Sequence, residues 1–524
     1  MSDEILRTGD APASLDDAAI LSMPPSPSSS LSVASPYLSV PSVSSVSSEV
    51  KRHAFPRRFA LLALGTALLT VAGDAVDVLP NVPNGGYLGP VAAFATATGL
   101  VCLLAAIVSP RAPAWLARRY AKLRLAVLAS AYALAVDALI IFFLAVIAAT
   151  IVPTSSAYFN DVISFTHVNA EVALAGGNPY TDDALFVATL RRFPKGLATP
   201  MRRGAFGTGY TYPDTDTIRA IERKYVADPT TYAASFDPAT LHSYPALSFL
   251  LYVPLLAVGL RNILLLHVLL FVAGVFVLAR LAPPGIRRWS ALVAFASVPL
   301  LGHSLLIDSE IVCVAFLLSA WHVRERGWLG GLLLGLACAF KQYCWLFAPF
   351  FLLDVYQREG WRGTLRYSSI AATAFLLPNL PYLLMDPSAW LHSVLLPATD
   401  PLFPMGMGLE AISAGHILPF APPLVYTAVE LLAYGVALWG QWRWRDRLGD
   451  GVLLLALLPL FFAFRSPANY FAIAPWLALY AVNMRYWSTG AVRVVRVDNR
   501  DGAVAVQIKG AGDVIHGQSR RRRL

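Results

Sequence analysis

The strongest constraint in this chain is a series of long apolar segments separated by short basic connections. Of 524 residues, 56% are hydrophobic and only 14% are Asp, Glu, Lys or Arg, whereas a soluble domain carries about 25% charged residues. A helical membrane span needs about 20 apolar residues. The composition therefore excludes a soluble enzyme, a disordered chain and a basic nucleic-acid-binding module. It predicts an all-α polytopic membrane protein.

The basic connections predict the orientation of the spans, because cytoplasmic loops are enriched in Lys and Arg. A basic cluster at 51–58 precedes the first apolar run, so we expect a cytoplasmic N-terminus. Alternating the runs from there leaves every short basic loop inside and both termini cytoplasmic. This holds if the run 244–259, which has two prolines, is a juxtamembrane or re-entrant helix on the outer face and does not cross the membrane. About twelve spans result, at roughly 59–79, 88–108, 125–152, 262–281, 288–304, 305–322, 328–341, 342–357, 366–385, 421–440, 450–465 and 468–485.

Composition divides the chain into five parts. Residues 1–50 are rich in Ser and Pro and poor in large apolar side chains, which predicts a disordered cytoplasmic tail. Residues 51–152 hold three spans, 153–261 form an extracytoplasmic loop with juxtamembrane helices, and 262–485 hold the remaining spans. The basic tail 486–524 alternates apolar and polar residues on either side of a turn, which predicts a small hairpin. Its closing arginines suit either anionic headgroups or solvent.

Metal-binding and cofactor-binding motifs are weak in this sequence. Asp214-Thr215-Asp216 matches the Asp-x-Asp pattern of metal-dependent transferases, but it lies in mid-loop, far from any span end. Asp182-Asp183 is more typical of an N-cap pair for a helix beginning at Ala184. The cysteines fall inside apolar runs without metal-ligand spacing, so we expect buried thiols, at Cys102, Cys313, Cys338 and Cys344. We predict no required cofactor and no metal site, with metal dependence left open.

The exception to the short loops is 153–243, about 90 residues after the third span and expected on the outer face. A loop of this length in a compact membrane protein is usually functional. Asp161 comes close to the end of a rigid span, where partial desolvation raises a carboxyl pKa and suits it to take a proton from a hydroxyl. The alternative, favoured slightly by physics alone, is a helix-end acid in headgroup water. Glu171 and a tight turn at 176–180 follow and close a short helix.

Short motifs in a fixed order resemble a known family. After Asp161 come Ala-Gly-Gly-Asn-Pro-Tyr at 175–180 and Tyr-Pro-Ala-Leu-Ser at 244–248. Gly302-His303-Ser304 with Ile307-Asp308 is similar to a Gly-Gln-x-Asp region, with His where Gln is commoner, and Ala-Phe-Lys-Gln-Tyr follows at 339–343. Between about 125 and 485 the sequence resembles the GT-C superfamily of membrane glycosyltransferases, most closely the family 87 polyprenol-phosphate-mannose-dependent mannosyltransferases. It departs from that family at 403–409, where members often carry an Asn-rich segment.

The resemblance implies a GT-C-like multi-pass enzyme of the cell envelope. Such an enzyme transfers a sugar, here most plausibly mannose, from a polyprenyl-phosphate donor to a lipid-linked or polysaccharide acceptor. Transfer takes place on the extracytoplasmic face, with inversion, and without a nucleic-acid partner. The implied general base is Asp161, and the implied loop residues near the acceptor are Glu171, Asn178, Tyr180 and Tyr244.

Cations on the outer rim are the expected ligands of the donor phosphate. An ionisable residue at the end of an apolar span is costly unless it is paired. Lys341 and Arg465, both at expected outer turns, therefore suit a phosphate as well as they suit snorkelling to the surface. The outer-side histidines His242, His303 and His416 are further candidates, and satisfied interfacial histidines are the alternative.

A transporter or flippase of lipid-linked sugars is the competing class. Transporters tend to contain internal repeats and charged or broken helices at the bilayer midplane. This chain has no clear repeat, and most of its ionisable residues cluster at span ends. Asp137, inside the third apolar run, is the main exception, and its role does not follow from the sequence.

Overall fold

The computed structural model of this protein describes residues 43–79, 85–108, 114–181, 184–230, 242–490, 493–500 and 503–509. The chain divides into two units, Met1–Val50 and Lys51–Leu524. Of the first unit, residues 43–50 are described, and they are helical. The predicted disordered tail extended to residue 50, so its last residues differ from that expectation. The rest of the tail and the final arginine run lie outside the described residues.

The described part of the chain is 78% helical, as the apolar composition predicts. One continuous apolar core extends from Phe59 to Val482, and Trp321 and Trp476 are among its largest buried side chains. The α-helices are Val43–Val78, Leu88–Val108, Ala114–Thr150, Thr154–Ala157, Asp161–Leu174, Leu185–Arg192, Thr215–Ala227, Leu247–Leu250, Val253–Ala257, Leu264–Leu281, Arg287–Phe295, Val298–Gly302, Glu310–His322, Gly327–Phe340, Ala348–Met385, Pro387–Thr399, Glu410–Ala414, Pro423–Leu448, Ala468–Ala472 and Ala474–Gly490.

Six helices among the described residues are long and apolar enough to cross a membrane, and a bent pair at 298–322 would make seven. The twelve predicted spans are therefore not all continuous apolar helices. The predicted runs 342–357 and 366–385 lie in one segment, which breaks at Gly360, where φ is 70°. The run 450–465 forms 3-10 helix at Gly449–Leu457 and Pro459–Phe462. A 3-10 helix rises about 2.0 Å per residue against 1.5 Å in an α-helix, so counting apolar residues misjudges such segments.

Close helix packing fixes the segment that ends at Lys341. Gly327–Phe340 lies against Ala348–Met385, and a Cβ added at Gly335 would collide with the Ala371 carbonyl oxygen. Small residues at helix interfaces allow backbones to approach in this way. The helix ends at Lys341, whose backbone is extended (φ −151°), and the 3-10 helix Gln342–Phe347 follows.

The described residues between 153 and 261, which are 153–181, 184–230 and 242–261, form short helices joined by turns and irregular stretches. The helix Asp161–Leu174 ends in the predicted glycine turn, where Gly176 has a φ of 82°. The apolar run 244–259 forms two short helices, Leu247–Leu250 and Val253–Ala257, which have 4 and 5 residues.

Two small ribbons complete the described structure. Met405–Gly406 pairs in parallel with Arg465–Ser466. Arg493–Arg500 pairs antiparallel with Ala503–Lys509, at the position of the predicted hairpin.

Candidate active site

A cavity of about 570 Å³ lies where the 153–230 segment meets the segments around 303–308, 341–343, 396–414 and 465–470. Six of the ten predicted site residues line it: Asp161, His242, Tyr244, His303, Lys341 and Arg465. The cavity therefore brings together the predicted base and both predicted cations.

Asp161 is the first residue of its helix and is 7% exposed. The preceding residue, Asn160, caps the helix by accepting a hydrogen bond from the Val162 N–H at 2.7 Å. Thr199 donates to Asp161 Oδ2 from its backbone N–H at 2.8 Å and from its hydroxyl at 2.7 Å. Burial raises the pKa of Asp161, and the Thr199 hydrogen bonds oppose that rise. A carboxyl with a raised pKa is a better proton acceptor once it is ionised.

Glu222 supports the stretch 197–199, which contacts Asn160 and Asp161. Its Oε1 accepts a hydrogen bond from the Ala198 N–H at 2.6 Å, one residue before Thr199. Leu197 in the same stretch pairs with Asn160 in a parallel bridge. Burial raises the pKa of Glu222 to about 7, partly opposed by the Ala198 hydrogen bond. Sequence reasoning missed Glu222, because its contact joins residues 24 positions apart and no motif marks it.

Lys341 is 2% exposed, and two carboxylates accept hydrogen bonds from its ammonium. Its Nζ donates to Asp308 Oδ1 at 2.8 Å and to Glu310 Oε1 at 2.6 Å. Asn469 donates to both of these carboxylates, and the Lys341 ammonium lies 5.0 Å from the centre of the Tyr244 ring. The cation predicted to hold a phosphate is therefore already neutralised by two carboxylates.

Arg465 lies in the parallel ribbon with Met405. Its Nη1 donates to the Phe403 carbonyl oxygen at 2.7 Å. No carboxylate in the described part of the chain lies within 4.0 Å of its guanidinium. Tyr212 also lines the cavity and interacts electrostatically with both Arg465 and Asp161. Arg465 therefore places at the cavity wall a positive charge that is not paired with a carboxylate of the described residues.

The three predicted histidines have different surroundings. His242 is 3% exposed and shares a 2.8 Å hydrogen bond with the Ser248 hydroxyl. Burial lowers the pKa of His242 to about 3, so this ring is neutral at physiological pH. His303 lines the cavity at the start of the π-helical turn His303–Ile307. His416 is exposed, has a φ of 59° just after the helix Glu410–Ala414, and is not among the residues that line the cavity.

Three of the predicted acceptor-side residues stabilise the loop and do not line the cavity. The Glu171 carboxylate pairs with Arg192, with Nη2 to Oε1 at 2.8 Å, and with His167 at 3.2 Å. Asn178 Oδ1 accepts from the Tyr180 N–H at 3.0 Å. The Tyr180 hydroxyl donates to the Tyr244 carbonyl oxygen at 2.8 Å. The turn thereby fixes Tyr244, which does border the cavity.

The remaining acidic residues singled out in the sequence either do not line the cavity or are not among the residues that the structure describes. Asp214 caps the helix Thr215–Ala227 by accepting from the Thr217 N–H at 2.8 Å. Asp182-Asp183 lies outside the described residues. Asp137 is exposed on its helix and electrostatically close to Asp74. Among the described residues, no group of three His, Cys, Asp or Glu is arranged to hold a metal ion.

Asp308 and Glu410 also line the cavity. Asp308 belongs to a motif quoted above, which signalled its region without revealing its pairing with Lys341. Glu410 lies just after the 403–409 segment, where the sequence departs from the resembling family. Its environment is described below.

Comparison with known proteins supports the enzymatic interpretation. Residues 242–467 match the sequence model of glycosyltransferase family 87. That stretch contains Asp308, Lys341, Glu410 and Arg465, whereas Asp161 precedes it. No curated protein and no solved structure matches the chain. The protein is therefore a glycosyltransferase, related through residues 242–467 to glycosyltransferase family 87.

Proposed function

We propose that the protein transfers a sugar, in the first instance mannose, from a polyprenyl-phosphate donor to a hydroxyl of a lipid-linked or polysaccharide acceptor. The reaction takes place on the extracytoplasmic face and inverts the anomeric carbon. The observation that carries this proposal is that one cavity is lined by a buried carboxyl, Asp161, and by Arg465, which has no carboxylate partner among the described residues.

Asp161 acts as the general base in this reaction. Its carboxylate takes the proton of the acceptor hydroxyl while the acceptor oxygen forms a bond to the anomeric carbon. The bond between that carbon and the phosphate oxygen breaks at the same time, and polyprenyl phosphate leaves. The Thr199 hydrogen bonds hold Oδ2, so Oδ1 is free of them and suits contact with the acceptor.

Arg465 binds the donor phosphate. The leaving group gains negative charge as its bond to the sugar breaks, and a fixed guanidinium stabilises that charge most where it is not already neutralised. Lys341 is neutralised by Asp308 and Glu310, so it contributes chiefly by fixing these carboxylates at the cavity wall. The sequence predicts that Lys341 and Arg465 both bind the donor phosphate, and we now propose this role for Arg465 alone.

The decisive experiment is transfer from a labelled polyprenyl-phosphate sugar by the purified full chain. Asp161→Asn keeps the size of the side chain but cannot accept the proton, so we expect transfer to fall at least about a hundredfold, as for loss of a general base. Assays with mannose, glucose, galactose and arabinose donors compare the possible sugars. Transfer at the wild-type rate by Asp161→Asn would refute the base assignment.

Arg465→Gln tests the phosphate site separately. Loss of a hydrogen-bonded charge costs about 1.5–3 kcal/mol, so we expect the KM for the donor to rise by roughly tenfold to a hundredfold. The matched control is Arg261→Gln, because Arg261 is exposed and is not among the residues that line the cavity. A donor KM unchanged in Arg465→Gln would argue against this phosphate site.

A further inference from the structure

Glu410 is a buried acid without a protein partner. Its side chain is 0% exposed, and it borders the cavity at the start of the helix Glu410–Ala414. Neither carboxyl oxygen has a hydrogen-bond partner among the described residues. Buried polar atoms are rarely left in this state, because each one loses its hydration without compensation. A ligand in the cavity would supply the missing hydrogen bonds.

The backbone holds Glu410 in a fixed place. A Cβ added at Gly408 would collide with the Phe461 carbonyl oxygen, and one added at Gly89 would collide with the Ala411 carbonyl oxygen. The same Phe461 oxygen accepts a 2.8 Å hydrogen bond from the Leu409 N–H. The short helix is therefore packed against backbone on two sides, and Glu410 cannot easily move away to find another partner.

The charge of Arg465 acts on Glu410 although the two do not form an ion pair. Burial raises the pKa of Glu410 to about 8, and Arg465 partly opposes that rise. The carboxyl is thus largely protonated at neutral pH and carries both an O–H donor and an acceptor oxygen. Sugar hydroxyls also donate and accept, so the two groups are complementary.

We propose that Glu410 binds a hydroxyl group of the donor sugar, next to the phosphate held by Arg465. This inference rests on the proposed function. The phosphate and the sugar ring of the donor share one bridging oxygen, so a group beside the phosphate site contacts the donor sugar sooner than the acceptor. Glu410 is then a specificity-determining residue for the transferred sugar, directly after the segment 403–409 where the sequence departs from the resembling family.

Binding to two lipid probes tests the assignment with the full-length protein in nanodiscs. One probe is a short-chain polyprenyl phosphate mannose, and the other is the same polyprenyl phosphate without sugar. In Glu410→Met, which keeps the length of the side chain but removes its hydrogen bonds, we expect about tenfold weaker binding of the mannosylated probe. Binding of the sugar-free probe should not change. Glu410→Gln, which retains a donor and an acceptor, should recover most of the lost affinity.

The controls separate this inference from the proposed function. Glu430→Met changes a glutamate that does not line the cavity and should bind both probes as the wild type does. Wild-type affinity of Glu410→Met for both probes, or an equal loss for both, would overturn the role of Glu410 while leaving the proposed function in place. If the wild type bound neither probe, both the role of Glu410 and the proposed function would be overturned.

Discussion

Thr199 donates both its backbone N–H and its hydroxyl to a single oxygen of Asp161, at 2.8 Å and 2.7 Å. This double hydrogen bond orients the carboxyl and favours its charged form. Burial has the opposite and larger effect, so the pKa of Asp161 remains above its ordinary value. Burial and the Thr199 hydrogen bonds thus shift the pKa of Asp161, the proposed base, in opposite directions, and a change at Thr199 alters the second effect alone.

The first prediction concerns Thr199→Val, which removes the hydroxyl and keeps the backbone donor and the side-chain shape. Loss of a hydrogen bond to the carboxylate raises the Asp161 pKa further, so the acid limb of the kcat profile should move to higher pH. We expect kcat at neutral pH to fall about tenfold, the equivalent of about 1.4 kcal/mol. Thr199→Ser keeps both donors and should stay close to the wild type. An unmoved acid limb in Thr199→Val would contradict this account.

The second prediction concerns Glu222. Because burial raises its pKa to about 7 from an ordinary value of 4.5, the folded protein binds this proton more tightly than the unfolded chain does. Glu222 therefore makes stability fall as pH rises from about 4.5 to about 7. In Glu222→Gln, which keeps the acceptor for the Ala198 N–H and cannot titrate, thermal unfolding should depend less on pH in this window.

Glu222→Ala separates positioning from titration. It removes the acceptor of the Ala198 N–H, so the stretch 197–199 that carries Thr199 should loosen. We expect kcat to fall severalfold, with little change in the donor KM. Glu222→Gln should restore kcat. If Gln and Ala were equally impaired, the hydrogen bond to Ala198 would not be the source of the effect.

The third prediction concerns the buried charges around Lys341. In Lys341→Met, two carboxylates lose their cation in a site where Lys341 is 2% exposed and Glu310 is 0% exposed. Removing one partner of a buried ion pair costs about 3–5 kcal/mol, so the detergent-solubilised protein should unfold at a markedly lower temperature. The triple variant Lys341→Met, Asp308→Asn, Glu310→Gln removes all three charges and should regain most of that stability. A single variant as stable as the wild type would argue against a compensated triad.

The fourth prediction concerns topology. Single cysteines at Thr208 and Arg287, introduced after replacement of the four native cysteines, should respond differently to an impermeant thiol reagent added from outside. We expect labelling at position 208 alone, because the enrichment of Lys and Arg in cytoplasmic loops predicts that the loop containing Thr208 is outside and the basic connection around Arg287 is inside. Labelling of position 287 from outside would mean that the run 244–259 crosses the membrane.

Sequence reasoning located Asp161 because a carboxyl next to a long apolar run is visible without any tertiary information. It also predicted the turn at Gly176, since two consecutive glycines there suit a helix end. It could not assign the state of Lys341, because the partners Asp308 and Glu310 are more than 30 residues away in the chain. The expected position of His416 along the membrane normal predicts that it lies at the phosphate site. The local turn after the helix Glu410–Ala414 decides instead whether this side chain reaches the cavity.

The spans were the other gap between sequence and structure. A count of apolar runs treats each run as one straight helix. Backbone geometry at Gly360 and in the 3-10 segment Gly449–Leu457 instead decides where helices bend or change type. The sequence also does not predict Glu410 as a site residue, for a related reason. A single glutamate in a loop has no motif, and its lack of partners is a property of the folded chain alone.

The cavity also has a consequence for biosynthesis. Its walls are contributed by Asp161 near the start of the 153–230 segment and by Arg465 and Asn469 near the last helices. A ribosome therefore makes Asp161 long before the residues that complete the opposite wall, and Asp308 and Glu310 lack their hydrogen bonds from Asn469 until then. A nascent or truncated chain that ends before these residues therefore lacks the complete cavity.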